Sequence, residues 1–292
     1  MINYPMPQQL PHMRDNSVMQ MGMQVVSEQQ WLEPCVDLEP FYQHKCQIRG
    51  TFGNRVFASV PESQVAQREL QQLLLQHLLR DHDQVYGSMG DDLVHLPSGL
   101  HLRVPTDEEQ DPLWQTSLWV ADDLLLMQPL ASQGDQYCLT AASLCSPSAW
   151  HLLEKLGNSM TRIHDPIPGI HQQLTPQIDR FLANVAPGQV VERRNWSLQS
   201  SSQLDMMPGS LPEPLSADEP VYYRMERQSL RRLPESGAIV FGIRVYIYEV
   251  SELAAVPEAI PALRKAIDDM PAELREYKDM AKYTIALEKY WP

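Results

Sequence analysis

The sequence predicts an α+β protein, with helices ahead of and behind a group of strands. Three observations carry this: an amphipathic pattern opening at Pro61, a two-residue alternation between Gly237 and Val250, and a charged helical tail from Pro257. Strands that cluster, rather than alternating one by one with helices, argue against a doubly wound parallel sheet.

The elements follow in order. Residues 1–30 are rich in Met, Gln and Pro and read as an extended arm lying on a later domain, or as a partly disordered segment. Pro61-Glu62-Ser63-Gln64 opens a helix ending near Asp81, with Val65, Leu70, Leu73, Leu74 and Leu78 on its apolar side. Residues 87–112 are loop-rich, with room for a hairpin. A second helix is expected over Leu113–Leu126, carrying Leu118, Trp119 and Leu125. Tyr137–Cys145 alternates as a strand, with Tyr137, Leu139 and Ala141 on one side. Ser146-Pro147-Ser148 caps a helix through Trp150, Leu152, Leu153 and Leu156, and Pro166, Pro168 and Gly169 exclude regular structure after it. A helix follows Thr175-Pro176, with Ile178, Phe181, Leu182 and Val185 buried. Strands are expected over Gln189–Leu198, Pro220–Leu230 and Gly237–Val250, the last with Ile239, Phe241, Ile243, Val245 and Ile247 on one face. The tail from Pro257 is helical, broken at Pro271, and offers Leu263, Ile267, Leu274, Tyr277 and Met280 for packing. The expected organisation is therefore an arm at 1–30, one α+β domain at 31–255 and a helical extension at 256–292 packed on it.

Charge and composition exclude several functions. Lys+Arg 23 against Asp+Glu 37 leaves a net charge of −14, the wrong sign for a general nucleic-acid binder or for an anionic membrane surface. No apolar run is long enough to span a bilayer, and the N-terminus shows no signal peptide, so a cytoplasmic protein is expected. The four cysteines, at 35, 46, 138 and 145, form no Cys-x-x-Cys pair and no Cys-x-x-Cys-His haem attachment; reduced, mostly buried thiols are expected. No dinucleotide fingerprint, Walker loop, His-Glu-x-x-His or nucleophile elbow is present. His77 and His82, five apart, fall on different faces of a continuous helix. The acid pairs Asp122-Asp123 and Asp268-Asp269 read as solvated helix faces.

Two stretches reverse the sign of the chain. Arg193-Arg194-Asn195-Trp196 and Arg224-Met225-Glu226-Arg227-Gln228-Ser229-Leu230-Arg231-Arg232 hold six arginines. On a strand, Arg224, Glu226 and Gln228 point to one face, Met225 and Arg227 to the other. Such a stripe is solvated, paired, or faces a ligand, and arginine suits carboxylates such as porphyrin propionates or an acidic redox partner. His164, in Ile163-His164-Asp165-Pro166-Ile167-Pro168, follows a helix and is held by two prolines. That rigidity suits an axial metal ligand as well as a buried hydrogen-bonded histidine.

These residues resemble one family in order and spacing, the haem-dependent oxidative N-demethylase-like proteins, which include the haem-bearing subunit of dimethylamine monooxygenase. The matching elements are Trp31-Leu32-Glu33, Asp122-Asp123-Leu124, Ser146-Pro147-x-x-Trp150, Lys155-Leu156-Gly157 and Ile163-His164-x-Pro166-x-Pro168. They continue through Arg194-Asn195-Trp196 and Glu226-Arg227-Gln228-Ser229-Leu230-Arg231-Arg232-Leu233-Pro234 to Gly237-Ala238-Ile239. Pro34-Cys35 departs from the family's aspartate after Trp-Leu-Glu; Ile167 and Ser229 are conservative departures.

The resemblance implies that 31–255 is a PAS-like haem-binding domain, an antiparallel sheet with helices closing over one face and holding a non-covalent b-type haem. It implies oxidative N-demethylation of a small secondary amine with O2, the electrons coming from a separate flavin/iron–sulfur reductase. The flavin and cluster then sit on partner subunits. Under it His164 is the expected axial ligand, with His171 as fallback and a Cys145 thiolate as a lesser choice. Glu226 is the candidate for holding an ammonium or gating protons. Arg224, Arg227 and Arg194 are candidates for contacts to propionates or iron-bound oxygen, with Asn195 and Trp196 lining the pocket. The competing readings are a PAS-like haem sensor without turnover, and a haem-free protein using the same pocket for a small ligand.

Overall fold

Alternation is strictest where β-branched and aromatic residues are densest, and the longest strands form there. In the computed structural model, which describes residues 6–14, 22–134, 136–148, 150–164, 175–207 and 215–291 (backbone only at 164, 175–177 and 179), β10 runs Ile239–Glu249 and β9 Tyr222–Arg232. They pair antiparallel from Ile239↔Arg232 to Glu249↔Tyr222. β8, Val190–Gln199, adds to the other side of β9. Beyond β8 lies β1, Gln24–Val26, a short strand contributed by the segment expected as an arm. On the far side of β10 come β6, Asp123–Leu130, β7, Gln136–Ser143, and β2, Phe57–Ser59. The result is one seven-stranded antiparallel sheet, ordered β1-β8-β9-β10-β6-β7-β2. A second sheet of β3, Tyr86–Met89, β4, Asp92–His95, and β5, Leu100–Arg103, occupies the stretch expected to be loop-rich.

The α+β class is borne out, with the sheet flanked by N- and C-terminal helices. The three expected strands of the second half are found within two residues of their ends. Strands are not confined to that half, however, since β1 to β7 all precede residue 150. The helix expected over Leu113–Leu126 stops at Ser117, and Asp123–Leu130 is a strand. Leucine favours a helix, but Leu124, Leu125 and Leu126 are buried on both faces between β10 and β7, and that burial overrides propensity. A register shift between Leu126 and Met127 breaks the alternation of β7. Leu139 therefore packs with Leu125 and Ala142, on the opposite face from Ala141.

The amphipathic helix is Gln64–Asp81, led by a 3-10 turn at Pro61–Ser63. Leu70, Leu74 and Leu78 are buried as expected, but Val65 is exposed, while Gln67 and Gln71 are buried. Both glutamines are satisfied there: Gln67 Nε2 donates to Ser63 Oγ at 2.8 Å and Gln71 Nε2 to the Pro105 carbonyl at 2.7 Å. A helix at Leu38–Phe52 had no signal in the pattern, because its buried side carries Lys45 among Leu38, Phe41 and Ile48. The helix expected after Ser146-Pro147 reduces to one turn, Leu152–Lys155.

Helices Leu38–Phe52 and Gln64–Asp81, with Trp31 and Leu32, cover the rear of the sheet at Leu124, Leu126, Ala141 and Val240. Further along the same rear face, Trp196, Tyr223, Met225 and Tyr248 are covered by Leu10 and the C-terminal segment, through Leu263, Leu274 and Met280. That segment also closes the outer edge of β8, where Lys278 Nζ donates to the Trp196 carbonyl and Tyr283 Oη to the Leu198 carbonyl. Among the described residues, no helix is long and apolar enough to cross a membrane.

Candidate functional site on the front of the sheet

The front face of the same strands is built differently. Register places Arg193 opposite Gln228, Asn195 opposite Glu226 and Ser197 opposite Arg224. Across β9, Gln228 meets Ile243 and Leu230 meets Phe241. Arg193, Asn195, Glu226, Gln228, Phe241 and Ile243 are all half-buried at the centre of a seven-stranded sheet. Their rear-face neighbours Arg227, Ser229 and Arg244 are buried.

Two helices flank this face. The chain leaves the Leu152–Lys155 turn through Gly157, at φ 75°, which lets its N–H donate to the Leu139 carbonyl at 2.7 Å. Lys155 Nζ caps the Ile163 carbonyl at 3.2 Å. The Lys-Leu-Gly motif therefore seats the helix Met160–His164 on β7, with Met160 packed against the same buried residues as Phe241. His164 stands one turn after Met160; its side chain, and all of His171, lie outside the described residues. The second helix, Thr175–Asn184, packs through Phe181 and Leu182 on Leu230 and Ile239. Arg232 caps its end, donating to the Val185 carbonyl at 2.6 Å and to that of Leu182.

Arg224 is buried and nearly saturated. Its Nε donates to Glu226 Oε1 at 2.8 Å, one terminal nitrogen to the Leu204 carbonyl at 2.9 Å and the other to the Ser146 carbonyl at 2.6 Å. It ties β9 to two loops and orients Glu226, so it is a positioning residue. Glu226 also accepts from Gln228 Nε2 at 3.0 Å. Burial alone would raise the Glu226 pKa, but Arg224, Gln228 and Arg193 together hold it below the ordinary carboxylate value. Its cationic neighbours are Arg224, Arg193 and Lys278. With these cations acting on one carboxylate, the group is net positive.

The remaining expected site residues are on the rear face, as the alternation of β8 and β9 requires. Arg227 Nε pairs with Glu192 at 2.7 Å and Glu33 at 3.3 Å, and Arg194 lies 3.6 Å from Glu33. Trp196 stacks on Tyr223, with ring centroids 5.8 Å apart. Arg224, Glu226 and Asn195 are thus brought together, while Arg194, Arg227 and Trp196 are set on the other side of the sheet. Cys145 is a buried thiol whose pKa burial and Asp123 push up to about 12, which opposes a thiolate.

The acid pair read as solvated is fully buried. Asp123 accepts the backbone N–H groups of Cys145 and Ser146, at 2.9 and 2.8 Å. Lys45 supplies the nearby positive charge, its ammonium caged by the carbonyls of Ser117, Val120 and Asp122 at 2.7, 3.1 and 2.6 Å. Asp122 has no hydrogen-bond partner for either carboxylate oxygen among the described residues, and burial raises its pKa. His77 and His82 also differ from expectation. The helix ends at Asp81, so His82 folds back and its Nε2 comes 3.2 Å from that of His77.

Gln228 shares the face of Glu226 as alternation predicted, whereas Arg193 on that face and Lys278 at the edge of β8 had not been singled out as site residues. Alternation pairs Arg193 with Asn195 and Gln228 with Glu226. Lys278 had no signal, because it arrives from the C-terminal segment.

An antiparallel α+β sheet with a polar, half-buried central face flanked by two helices is the class of protein that these elements define. Residues 22–287 match the model of the family described as haem-dependent oxidative N-demethylase, alpha subunit-like, and the chain belongs to that family.

Proposed function

We propose that this chain is the haem-carrying subunit of a multi-component monooxygenase that removes a methyl group from a small secondary amine. The observation that carries this is the Arg193–Asn195–Glu226–Gln228 group, half-buried at the centre of the front face beside the helix that ends in His164. In this reading the domain is PAS-like and the haem lies on that face.

The residues present suit the group. Phe241, Ile243 and Met160 offer apolar surface, while Arg193 and Asn195 offer polar donors beside it. Among the described residues no three His, Cys, Asp or Glu converge on one point. Haem would need only one ligand from the protein, and we assign that role to His164. When bound, haem supplies the oxygen chemistry, and its two electrons come from a flavin/iron–sulfur partner. The chain's own residues then set the surroundings. Arg224 holds Glu226 ionised, so Glu226 accepts hydrogen bonds and does not donate a proton at neutral pH. The positive group favours an amine as its free base, the form with an available nitrogen lone pair.

The test is the visible spectrum of protein expressed with ample haem, oxidised and reduced, with and without dimethylamine. A Soret band near one haem per chain that shifts with amine, and that changes in His164→Ala, supports the assignment. Absence of haem uptake overturns it. Reductase-dependent release of formaldehyde separates an enzyme from a sensor.

A further inference from the structure

Arg193 on the front face and Lys278 at the edge of β8 have no anion of their own. Glu226 is already engaged by Arg224 at 2.8 Å and Gln228 at 3.0 Å. The Arg193 guanidinium makes no hydrogen bond and no ion pair among the described residues, and feels Glu226 only at longer range. Lys278 lies at the edge of β8, where it donates to the Trp196 carbonyl at 3.0 Å and stands 5.2 Å from the centre of the Trp196 indole. It feels both Glu226 and Arg193. Three cations therefore act on one carboxylate, Arg224 in contact and Arg193 and Lys278 at longer range, in a chain whose net charge is −14. Burial depresses the proton affinity of Arg193, and brings that of Lys278 down to about 8, as expected where positive charge lacks a counterion.

We propose that Arg193 and Lys278, with the Asn195 amide beside them, form a carboxylate clamp, so that the ligand of this face carries an acid group. Arg193 supplies a planar fork suited to two carboxylate oxygens, and Lys278 a point charge at the strand edge. Asn195 lies directly across from Glu226, two residues from Arg193 along β8. The carboxylate has two sources: a haem propionate, which rests on the functional reading above, or the acid of an N-methylated amino acid taken as substrate.

The experiment titrates wild type, Arg193→Gln and Lys278→Met, each checked for native circular dichroism, with haemin and with haemin dimethyl ester. Arg264→Gln, on the exposed C-terminal helix, controls for loss of one charge. In a second arm, N-methylglycine and dimethylamine are titrated into the same proteins. The expected result is that a carboxylate ligand loses about tenfold or more in affinity in both clamp variants, the order of one charge-assisted hydrogen bond. Its ester, or the amine lacking the acid, should bind all four proteins alike. Loss with haemin identifies the propionate; loss with N-methylglycine identifies the substrate. If acid and neutral ligands keep the same affinity ratio in the variants, in both arms, the clamp is overturned. Should wild type take up no haem, the functional reading falls, and the N-methylglycine arm on the haem-free chain alone decides the clamp.

Discussion

Arg224 and Glu226, two residues apart on one strand, are joined Nε to Oε1 at 2.8 Å, and this pair determines what the centre of the front face can attract. Because the carboxylate is neutralised from within its own strand, Arg193 and Lys278 remain as surplus positive charge. The chain is acidic overall but basic here.

Arg224→Met should be strongly destabilising. It removes a buried cation that bonds Glu226, the Leu204 carbonyl and the Ser146 carbonyl, and leaves Glu226 without its main partner. Breaking a buried pair on one side costs about 3 to 5 kcal/mol. Urea denaturation checks this, and adding Glu226→Gln to the same chain should recover part of the loss.

Gly242 sits where the rear face is tightest. A Cβ there would lie 2.8 Å from Ser229 Oγ and 3.1 Å from Leu32 Cδ2. Gly242→Ala should cost roughly 1 to 3 kcal/mol by overpacking. Ser229 Oγ has no hydrogen-bond partner among the described residues, so Ser229→Ala alone should be close to neutral. The double variant should be more stable than the sum of the two predicts, and a double-mutant cycle by thermal melting reads the coupling.

His77 makes stability depend on pH. Burial is the main cause that lowers its pKa from 6.5 to about 4, with His82 and Arg231 adding to the effect and Asp81 opposing it. Between those values the unfolded chain binds more protons than the folded one. The His77 contribution is therefore complete above about pH 6.5 and is lost as pH falls towards 4, by about 3 kcal/mol in all. Urea melts of wild type and His77→Gln should converge across that window; a constant gap between them would contradict the assignment.

Lys45→Met should also destabilise the rear core by about 3 to 5 kcal/mol, since three carbonyls and two buried aspartates lose their cation. Differential scanning calorimetry checks the direction and size.

Much of the fold was legible in local pattern. Gly237–Val250 alternates so regularly that its strand could be placed almost to the residue, and the leucines after Pro61 marked their helix. Leu113–Leu126 misled, because Leu124 to Leu126 carry no alternation when both faces of a strand are buried. The helix Leu38–Phe52 hid behind Lys45, a cation at a core position whose three carbonyl acceptors are supplied by residues 117–122. The site was half legible. Strand parity places Glu226 with Arg224 and sends Arg227 to the other face, whereas the spacing of Lys278 says nothing about the edge of β8.

By itself, then, the sequence determined the class of fold, the family, and which side chains share a strand face, because these follow from short-range periodicity and an ordered run of motifs. The tertiary structure decided which face is sealed and which stays half-open, which charges cancel, and that Lys278 is brought to the edge of the strand that carries Arg193. Those outcomes depend on contacts between segments far apart in the chain and on burial. Burial sets the strength of a charge interaction and is not written in the spacing of any one segment.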